Sequence, residues 1–264
     1  MKHLVRMLRP LCGLFLLLSL LISASHVFAD KRTTLPICAG MGLKDALMTL
    51  KNRYEERHPD ILLEINFASS GALQKQIEQG APAELFLSAG QKEMNALEAQ
   101  NLIVPKSRCD LLGNTLVLIV AEEKQQQIQS FADLPKQAAS FAIGHPGSVP
   151  AGRYGKETLT SLDLWSQMES RMVLAKDVRA VLAYVDSGNA DAGLVYRTDT
   201  LMLRSAVIAA TAPTNSHSPI VFPAALVANG RHPAETRQFF EFLKSAEAGE
   251  VFARYGFIPL LKKP

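Results

Sequence analysis

Apolar residues recur along this chain with two alternating periods, one typical of strands and one typical of helices. Residues 35–39 form a short apolar run, and apolar side chains then recur at helical spacing until His58-Pro59 interrupts them. The first part of the chain predicts strands at 35–39, 61–67 and 84–88, and helices at 43–54, 72–79 and 91–100. This β-α-β-α-β-α order implies a parallel sheet with helices on both faces.

The alternation resumes after an unusually apolar strand that begins at Thr115. The later elements predicted are strands at 115–121, 140–144, 172–175, 192–196 and 220–228, and helices at 153–162, 179–186, 234–244 and 247–255. No sequence repeat, low-complexity tract or long flexible linker interrupts the pattern. We therefore expect an α/β protein of two lobes, joined by strands that cross between them.

The start of the chain has the pattern of a secretory leader. Three basic residues precede an apolar run over 11–22, and small residues lead up to Ala29. We expect cleavage after Ala29, so that 1–29 is a signal peptide and the mature protein is soluble in the periplasm. A membrane anchor is the alternative, but the run is shorter than the roughly 20 residues that a spanning helix needs. Cys12 lies inside the run without a small-residue lipobox, so we expect no lipid anchor.

The leader also accounts for the net charge of the chain. Residues 1–29 hold three of the 28 Lys and Arg residues and none of the 25 Asp and Glu residues, so the remainder is balanced. A balanced chain gives no reason to expect nucleic acid or a membrane surface as a partner. The 235 residues that follow the leader can bury one large core or two lobes of about a hundred residues each.

Two cysteines remain after the leader, Cys38 and Cys109, and they are 71 residues apart. Export permits a disulfide, but a single pair is not a disulfide framework, and sequence spacing cannot show contact. We expect two free thiols, with a disulfide as the alternative. Neither cysteine has a second Cys or His at metal-ligand spacing.

Small or capping residues stand at four predicted strand-to-helix turns. The turns are Gly40-Met41-Gly42, Ser69-Ser70-Gly71, Pro150-Ala151-Gly152 and Lys176-Asp177-Val178. Backbone N–H groups at a helix start have no partner inside the helix, and the helix dipole adds partial positive charge there. One such turn usually only caps a helix, but four of them in an exported chain favour the binding of an anion.

Five sequence blocks, in their order and spacing, resemble the periplasmic molybdate-binding proteins of ABC importers. The blocks are FASSGALQKQIEQGAPAELFLSA, LLGNTLVLIVA, HPGSVPAGRYGKE, DVRAVLAYVDSGNADAGLVYRTD and the terminal RYGF. The resemblance covers essentially the whole chain after the leader. It implies a type II periplasmic binding protein fold, with two doubly wound α/β lobes joined by two crossing strands near 113–114 and 222–223. The implied lobes are 30–113 plus 223–264, and 114–222.

The resemblance also implies a ligand and a set of residues that hold it. Members of the family close on molybdate or tungstate, a tetrahedral oxyanion, and hold it only by hydrogen bonds from neutral groups. Ser70 would donate from its hydroxyl and N–H groups, Tyr196 from its phenol, and Ala151 and Val178 from their backbone N–H groups. No cofactor is implied, and molybdenum enters only as the bound oxyanion. The implied partners are an ABC permease and its ATPase as separate chains, with a monomeric binding protein.

One position departs from the family pattern. The first turn of the family usually reads A-A-S-L with serine as a ligand, whereas this chain reads G-M-G-L and has Gly42 at that place. A hydrogen bond to a charged partner is worth roughly 1.5 to 3 kcal/mol, so its loss weakens binding roughly tenfold to a hundredfold. Gly42 could still donate from its N–H group or admit a water. Aspartates are more usual in the family at the positions of Glu84 and Gly90. These two residues, together with Arg153, also bear on which anion is preferred.

Each implied ligand has a purely structural alternative. Ser70 could only cap its helix, Gly42 could only relieve backbone strain, and Tyr196, Ala151 and Val178 could only pack.

Asp177 and Arg179 flank the fourth turn. We expect Asp177 to cap the helix and Arg179 to form a surface or inter-lobe ion pair.

Three hypotheses about function remain open from the sequence. The leading hypothesis is a receptor for molybdate or tungstate, and the second is the same fold retuned to another oxyanion or a small organic anion. The third is an exported enzyme, but the chain has no G-x-S-x-G or H-E-x-x-H motif and no paired carboxylates beside an obvious site. We therefore expect a binding protein and not an enzyme.

Overall fold

The computed structural model describes residues 32–261 of the chain. The predicted signal peptide lies outside the described residues. All elements below belong to one unit of the chain that begins at Thr33. No helix within 32–261 is both long and apolar enough to cross a membrane.

The first sheet has six strands and contains both ends of the described chain. Its strands are β1 Thr33–Gly40, β2 Ile61–Ala68, β3 Leu85–Leu87, β4 Cys109–Gly113, β10 Val221–Leu226 and β11 Ile258–Pro259, in the order β11-β4-β10-β3-β1-β2. Strands β1, β2 and β3 are parallel, as the sequence predicts. Strands β10, β4 and β11 are antiparallel to their neighbours, so the sheet is mixed.

The second sheet has five strands, all from the middle of the chain. They are β5 Leu116–Val120, β6 Phe141–Gly144, β7 Met172–Ala175, β8 Ala192–Tyr196 and β9 Val207–Thr211, in the order β7-β6-β8-β5-β9. Here too β6, β7 and β8 are parallel, whereas β5 is antiparallel to β8 and to β9. The chain therefore forms two α/β lobes, and the predicted fold class is confirmed.

Helices cover both faces of each sheet. They are α1 Lys44–Arg57, α2 Ser70–Glu78, α3 Gln91–Ala99, α4 Leu134–Gln137, α5 Pro150–Ser161, α6 Trp165–Met168, α7 Val178–Asp186, α8 Pro233–Leu243 and α9 Ala246–Arg254. In the first sheet, alternation along β1 directs Cys38 toward the core of α2 and α3, and Ile37 toward a larger core that includes α1, α8 and α9. Apolar burial on both sides fixes the register of these strands.

The chain passes between the sheets at two places. Gly113 ends β4 and Leu116 begins β5, so the first passage is only two residues long, and the second is the segment 212–220. Asn114 orders the first passage, because its side chain donates to Thr198 Oγ1 at 3.0 Å and accepts from the N–H group of Thr115 at 2.8 Å.

Cys38 and Cys109 are free thiols in the structure. They lie on β1 and β4, and β3 and β10 separate these two strands. Three strand spacings amount to roughly 14 Å, which is more than twice the Cα separation of a typical disulfide. The alternative of a disulfide between them is therefore wrong for this fold.

Candidate functional site

A small cavity lies where the four predicted turns meet, between the two lobes. Its empty space, which includes the part that opens to solvent, is about 220 Å³, so the cavity is small. The cavity is lined by Met41, Gly42, Ser69, Ser70, Ala89, Val149, Pro150, Ala151, Asp177, Val178 and Tyr196. All five residues that the sequence singled out as ligands are therefore brought to one place.

Helix starts supply the polar groups of this cavity. Helix α2 begins at Ser70, α5 at Pro150 and α7 at Val178, and a 3-10 turn occupies Met41–Leu43. The first N–H groups of a helix have no partner within it, and they carry the positive end of the helix dipole. The cavity thus combines neutral donors from both lobes, with no Lys or Arg among its lining residues.

Ser70 is fully buried, and its hydroxyl is oriented by a backbone contact. The N–H group of Ala89 donates to Ser70 Oγ at 2.8 Å. Because this bond uses the oxygen as an acceptor, the hydroxyl proton stays available for another group. The capping alternative for Ser70 is wrong, since Ser69 is the N-cap of α2 and accepts from the N–H group of Ala72 at 3.4 Å.

Tyr196 reaches across the cleft with its hydroxyl. The O–H group donates to the carbonyl oxygen of Ala89 at 2.9 Å, and the ring packs edge-on against Phe222, with ring centroids 5.0 Å apart. Burial raises the pKa of Tyr196 well above its ordinary value, so the phenol keeps its proton. An anion held by Tyr196 would compete with Ala89 for that single proton.

Gly42 leaves room for a side chain at the edge of the cavity. A Cβ atom built there would lie 3.6 Å from Asp199 Oδ1, 3.6 Å from Tyr196 Cδ2 and 3.7 Å from Val178 Cγ1, which are ordinary contact distances. The backbone of Gly42 is not left-handed; the described glycines with positive φ are Gly80, Gly188 and Gly256. The strain-relief alternative for Gly42 is therefore wrong.

Asp199 is a buried carboxylate beside Gly42 that the sequence did not single out. Its Oδ2 accepts from the N–H group of Tyr196 at 3.2 Å, and its Oδ1 lies 2.9 Å from Arg179 Nε. The Arg179 N–H is not directed at that oxygen, so the contact is an ion pair without an aligned hydrogen bond. Burial raises the pKa of Asp199 to about 7, and Arg179 opposes this rise. The only sequence feature that pointed to Asp199 was its place three residues after Tyr196.

The residues that flank the fourth turn have the roles predicted for them. Asp177 caps α7, because its Oδ1 accepts from the N–H group of Ala180 at 2.9 Å. Arg179 forms an inter-lobe ion pair with Asp45 of α1.

The lobes also touch through backbone and through a second ion pair. The N–H group of Gly71 donates to the carbonyl oxygen of Ser148 at 3.0 Å. Arg153 of α5 forms a bidentate ion pair with Glu93 of α3, at 2.7 and 3.0 Å. The structure is therefore a closed arrangement of the two lobes.

Glu84, unlike Gly90 and Arg153, lies away from this cavity. It precedes β3, whereas the cavity lies beyond the other end of that strand, at Ala89. Its carboxylate accepts from the N–H groups of Arg231 and His232 at 2.7 and 3.1 Å, just before α8 begins. Glu84 thus binds the backbone of the segment that precedes α8 and is not among the residues that line the cavity.

The described residues contain no group of three or more His, Cys, Asp or Glu side chains arranged to hold a metal ion. The cavity is lined by neutral side chains and backbone groups, with Asp177 as the one acidic residue among the described residues that line it.

Comparison with known proteins extends over most of the chain. A family model described as bacterial extracellular solute-binding protein matches residues 35–258. YvgL of Bacillus subtilis, whose name assigns it provisionally to the substrate-binding lipoproteins of ABC transporters, is 43% identical over 233 residues, covering 88% of this chain and 89% of that protein. The molybdate-binding protein ModA of Haemophilus influenzae is 36% identical over 230 residues, covering 84% of this chain and 88% of its own.

A solved structure agrees in fold. The periplasmic molybdate-binding protein of Azotobacter vinelandii superposes with a TM-score of 0.76 at 24% identity, covering 85% of this chain and 98% of its own.

Proposed function

This chain belongs to the family of bacterial extracellular solute-binding proteins, and from that premise we propose that it captures molybdate or tungstate for an ABC importer. The observation that carries the proposal is the single cavity shared by Gly42, Ser70, Ala151, Val178 and Tyr196, lined by neutral donors from both lobes. The relatives named as molybdate-binding proteins support the choice of anion.

Neutral donors suit a transport receptor for physical reasons. Pairing a dianion with a buried Arg or Lys would cost several kcal/mol of desolvation per ion. Backbone N–H groups, the Ser70 hydroxyl and the Tyr196 phenol bring no counter-charge. Groups that donate without accepting favour a fully deprotonated anion, so the size of the cavity would separate molybdate and tungstate from the smaller sulfate. An anion that bridges both lobes also stabilises their closed arrangement.

The same proposal includes the setting in which the protein works. The chain would be exported, cleaved after Ala29 and active in the periplasm as a monomer, and a permease and an ATPase on other chains would receive the anion. Its lobes would be 30–113 plus 223–264, and 114–222, although β10 of the first sheet already begins at Val221.

Calorimetric titration of the mature protein tests the proposal. We expect saturable 1:1 binding of molybdate and tungstate, and binding of sulfate and phosphate that is at least about tenfold weaker, the difference that about 1.4 kcal/mol produces. Absence of binding to both molybdate and tungstate would contradict it. A screen for phosphatase and esterase turnover is expected to find none.

Gly42 and Asp199 together favour one second candidate, in which the site is retuned to another anion. The family's serine hydroxyl is missing here, and a buried carboxylate oxygen faces the space that remains. A carboxylate oxygen is an acceptor, so that space suits an anion bearing an O–H group, either a protonated oxyanion or a small hydroxy acid.

Gly42→Ser separates the two candidates. If the site is for molybdate, the added hydroxyl fits at ordinary contact distances and tightens molybdate binding, roughly tenfold or more for one hydrogen bond to a charged group. The measurement is the molybdate Kd of both proteins by calorimetry, with thermal shifts across molybdate, tungstate, sulfate, phosphate and chromate. Weak molybdate binding that Gly42→Ser does not improve would favour the retuned site.

A further inference from the structure

One buried ion pair joins the two lobes without lining the anion cavity. Arg153 Nη1 and Nη2 lie 2.7 and 3.0 Å from Glu93 Oε1 and Oε2. The Glu93 side chain is only 2% exposed and that of Arg153 18%. Because α3 and α5 carry these residues on different lobes, the pair exists only when the lobes are closed.

Gly90 provides the space that this pair occupies. A Cβ atom at position 90 would lie 2.8 Å from Arg153 Nη2 and 2.9 Å from Pro150 Cβ. A real Cβ atom essentially never makes contacts this short, so any side chain at 90 would displace the guanidinium or the start of α5. The position of the Arg153 guanidinium therefore depends on the absence of a side chain at position 90.

Arg153 is close to the cavity but does not line it. It follows Ala151 by two residues in the first turns of α5, and its guanidinium packs 5.6 Å from the centroid of the Tyr154 ring. Its two terminal nitrogens are bonded to Glu93, and Arg153 is not among the residues that line the cavity. The positive charge of Arg153 thus acts on closure of the lobes and not by direct contact with an anion.

We propose that the Glu93–Arg153 pair sets the anion affinity of this protein by stabilising the closed arrangement of its lobes, a role that rests on the proposed function. The apparent Kd of a ligand is inversely proportional to the fraction of the protein that is in the binding-competent state. An inter-lobe pair that favours the closed state therefore lowers the Kd. In this protein it offsets part of the affinity that is lost because Gly42 has no hydroxyl donor.

Variants that remove the charge of Glu93 or of Arg153 test the role of the pair in closure. Glu93→Gln or Arg153→Gln leaves one buried charge without its partner in the closed state, so we expect each to raise the molybdate Kd by about tenfold or more. The double variant leaves neither charge, so its effect is expected to be smaller than the product of the two single effects. The charge-reversed protein, Glu93→Arg with Arg153→Glu, is expected to recover part of the affinity.

An ion pair within one lobe provides the matched control. Arg108 Nη1 lies 2.7 Å from Glu98 Oε2, and both residues belong to the first lobe. Glu98→Gln and Arg108→Gln are expected to leave the molybdate Kd within about twofold, because neither changes a contact between the lobes and exposed pairs contribute little.

A structural readout separates closure from general stability. We expect small-angle X-ray scattering of ligand-free Glu93→Gln and Arg153→Gln to give a larger radius of gyration than wild type, with similar melting temperatures. Single variants with the wild-type Kd, or single effects that multiply without coupling, would overturn the proposal. If wild type binds none of the anions, the proposed function fails. The role of the ion pair is then tested by scattering alone, and single variants that are no more extended than wild type overturn that role.

Discussion

Ala89 has no polar side chain, yet its backbone connects the two hydroxyls of the candidate site. Its N–H group donates to Ser70 Oγ at 2.8 Å, and its carbonyl oxygen accepts from the Tyr196 hydroxyl at 2.9 Å. Ser70 and Tyr196 come from different lobes, so the backbone of a single residue orients both hydroxyl groups. Small residues on the strand-to-helix turns thus determine where protons point, although they supply no functional group.

Asp199 gives the clearest pH dependence at the residue scale. Its pKa of about 7 in the folded protein lies above the unfolded value, so the folded state binds more protons between about pH 4 and pH 7. The contribution of Asp199 to stability therefore falls as pH rises through this window, by at most about 1.4 kcal/mol per pH unit. Arg179, Asp45 and Asp177 are the charged groups that face it.

Asp199→Asn isolates this contribution. We expect the free energy of unfolding of the variant, minus that of wild type, to rise from pH 4 to pH 7 and to level off above. Urea unfolding at unit pH intervals measures it, and other titrating groups cancel in the difference. A difference that is flat across this range would contradict the assignment.

Gly71 permits a close backbone approach between the lobes. A Cβ atom there would lie 2.6 Å from the Ser148 carbonyl oxygen and 2.7 Å from Ser148 Cα. Gly71→Ala should therefore hold the lobes apart and raise the Kd for molybdate by about tenfold or more. Calorimetry measures this, and the melting temperature without ligand is expected to stay near that of wild type.

Gly249→Ala is the control for that prediction. Gly249 lies within α9, and the nearest atom to its Cβ position is Pro259 Cβ at 4.0 Å. Alanine there should stabilise the helix by up to about 1 kcal/mol and leave the Kd unchanged. Equal effects of both substitutions on Kd would rule out the steric explanation.

At the scale of elements, Glu84 links the start of β3 to the start of α8. Its carboxylate accepts from two backbone N–H groups, of Arg231 and His232, and lies 3.3 Å from Thr236 Oγ1. Negative charge near a helix start also interacts favourably with the helix dipole. The presence of Glu84 instead of the more usual aspartate thus affects the stability of the first lobe.

Glu84→Gln should lower the free energy of unfolding by about 1 to 3 kcal/mol, because a buried donor loses its acceptor. The Kd for molybdate should not change, since the residue lies away from the cavity. Urea unfolding and calorimetry measure the two quantities. The exposed Glu64→Gln on β2 is the matched control, expected within about 0.5 kcal/mol of wild type. A changed Kd in Glu84→Gln alone would contradict this role.

At the scale of the whole molecule, the order of strands keeps the two cysteines apart. Burial raises the pKa of both the Cys38 and Cys109 thiols to about 11, so few thiolates form at neutral pH. We expect alkylation of the unfolded protein, without reductant, to label both residues, as peptide mass spectrometry would report. A disulfide-linked peptide containing Cys38 and Cys109 would contradict the fold.

Most strands and helices could be predicted from the sequence, because their apolar periodicity is local and long enough to distinguish period 2 from period 3.6. Strands β4, β9 and β11 were not predicted. They are short, and their backbone hydrogen bonds go to β10, β5 and β4, which are distant in the chain. Pairing, and not local pattern, makes them strands. The antiparallel direction of β10 likewise follows from the return of the chain to the first lobe.

The sequence by itself determined the alternation of elements, the two-lobe fold class and, through family resemblance, which five residues to examine together. Only the tertiary structure decided that Tyr196 donates to Ala89 and that Arg153 meets Glu93 across the cleft. The physical reason is distance along the chain. Helix and strand preferences depend on neighbours a few residues away, whereas these contacts join residues that are near only after two lobes have closed.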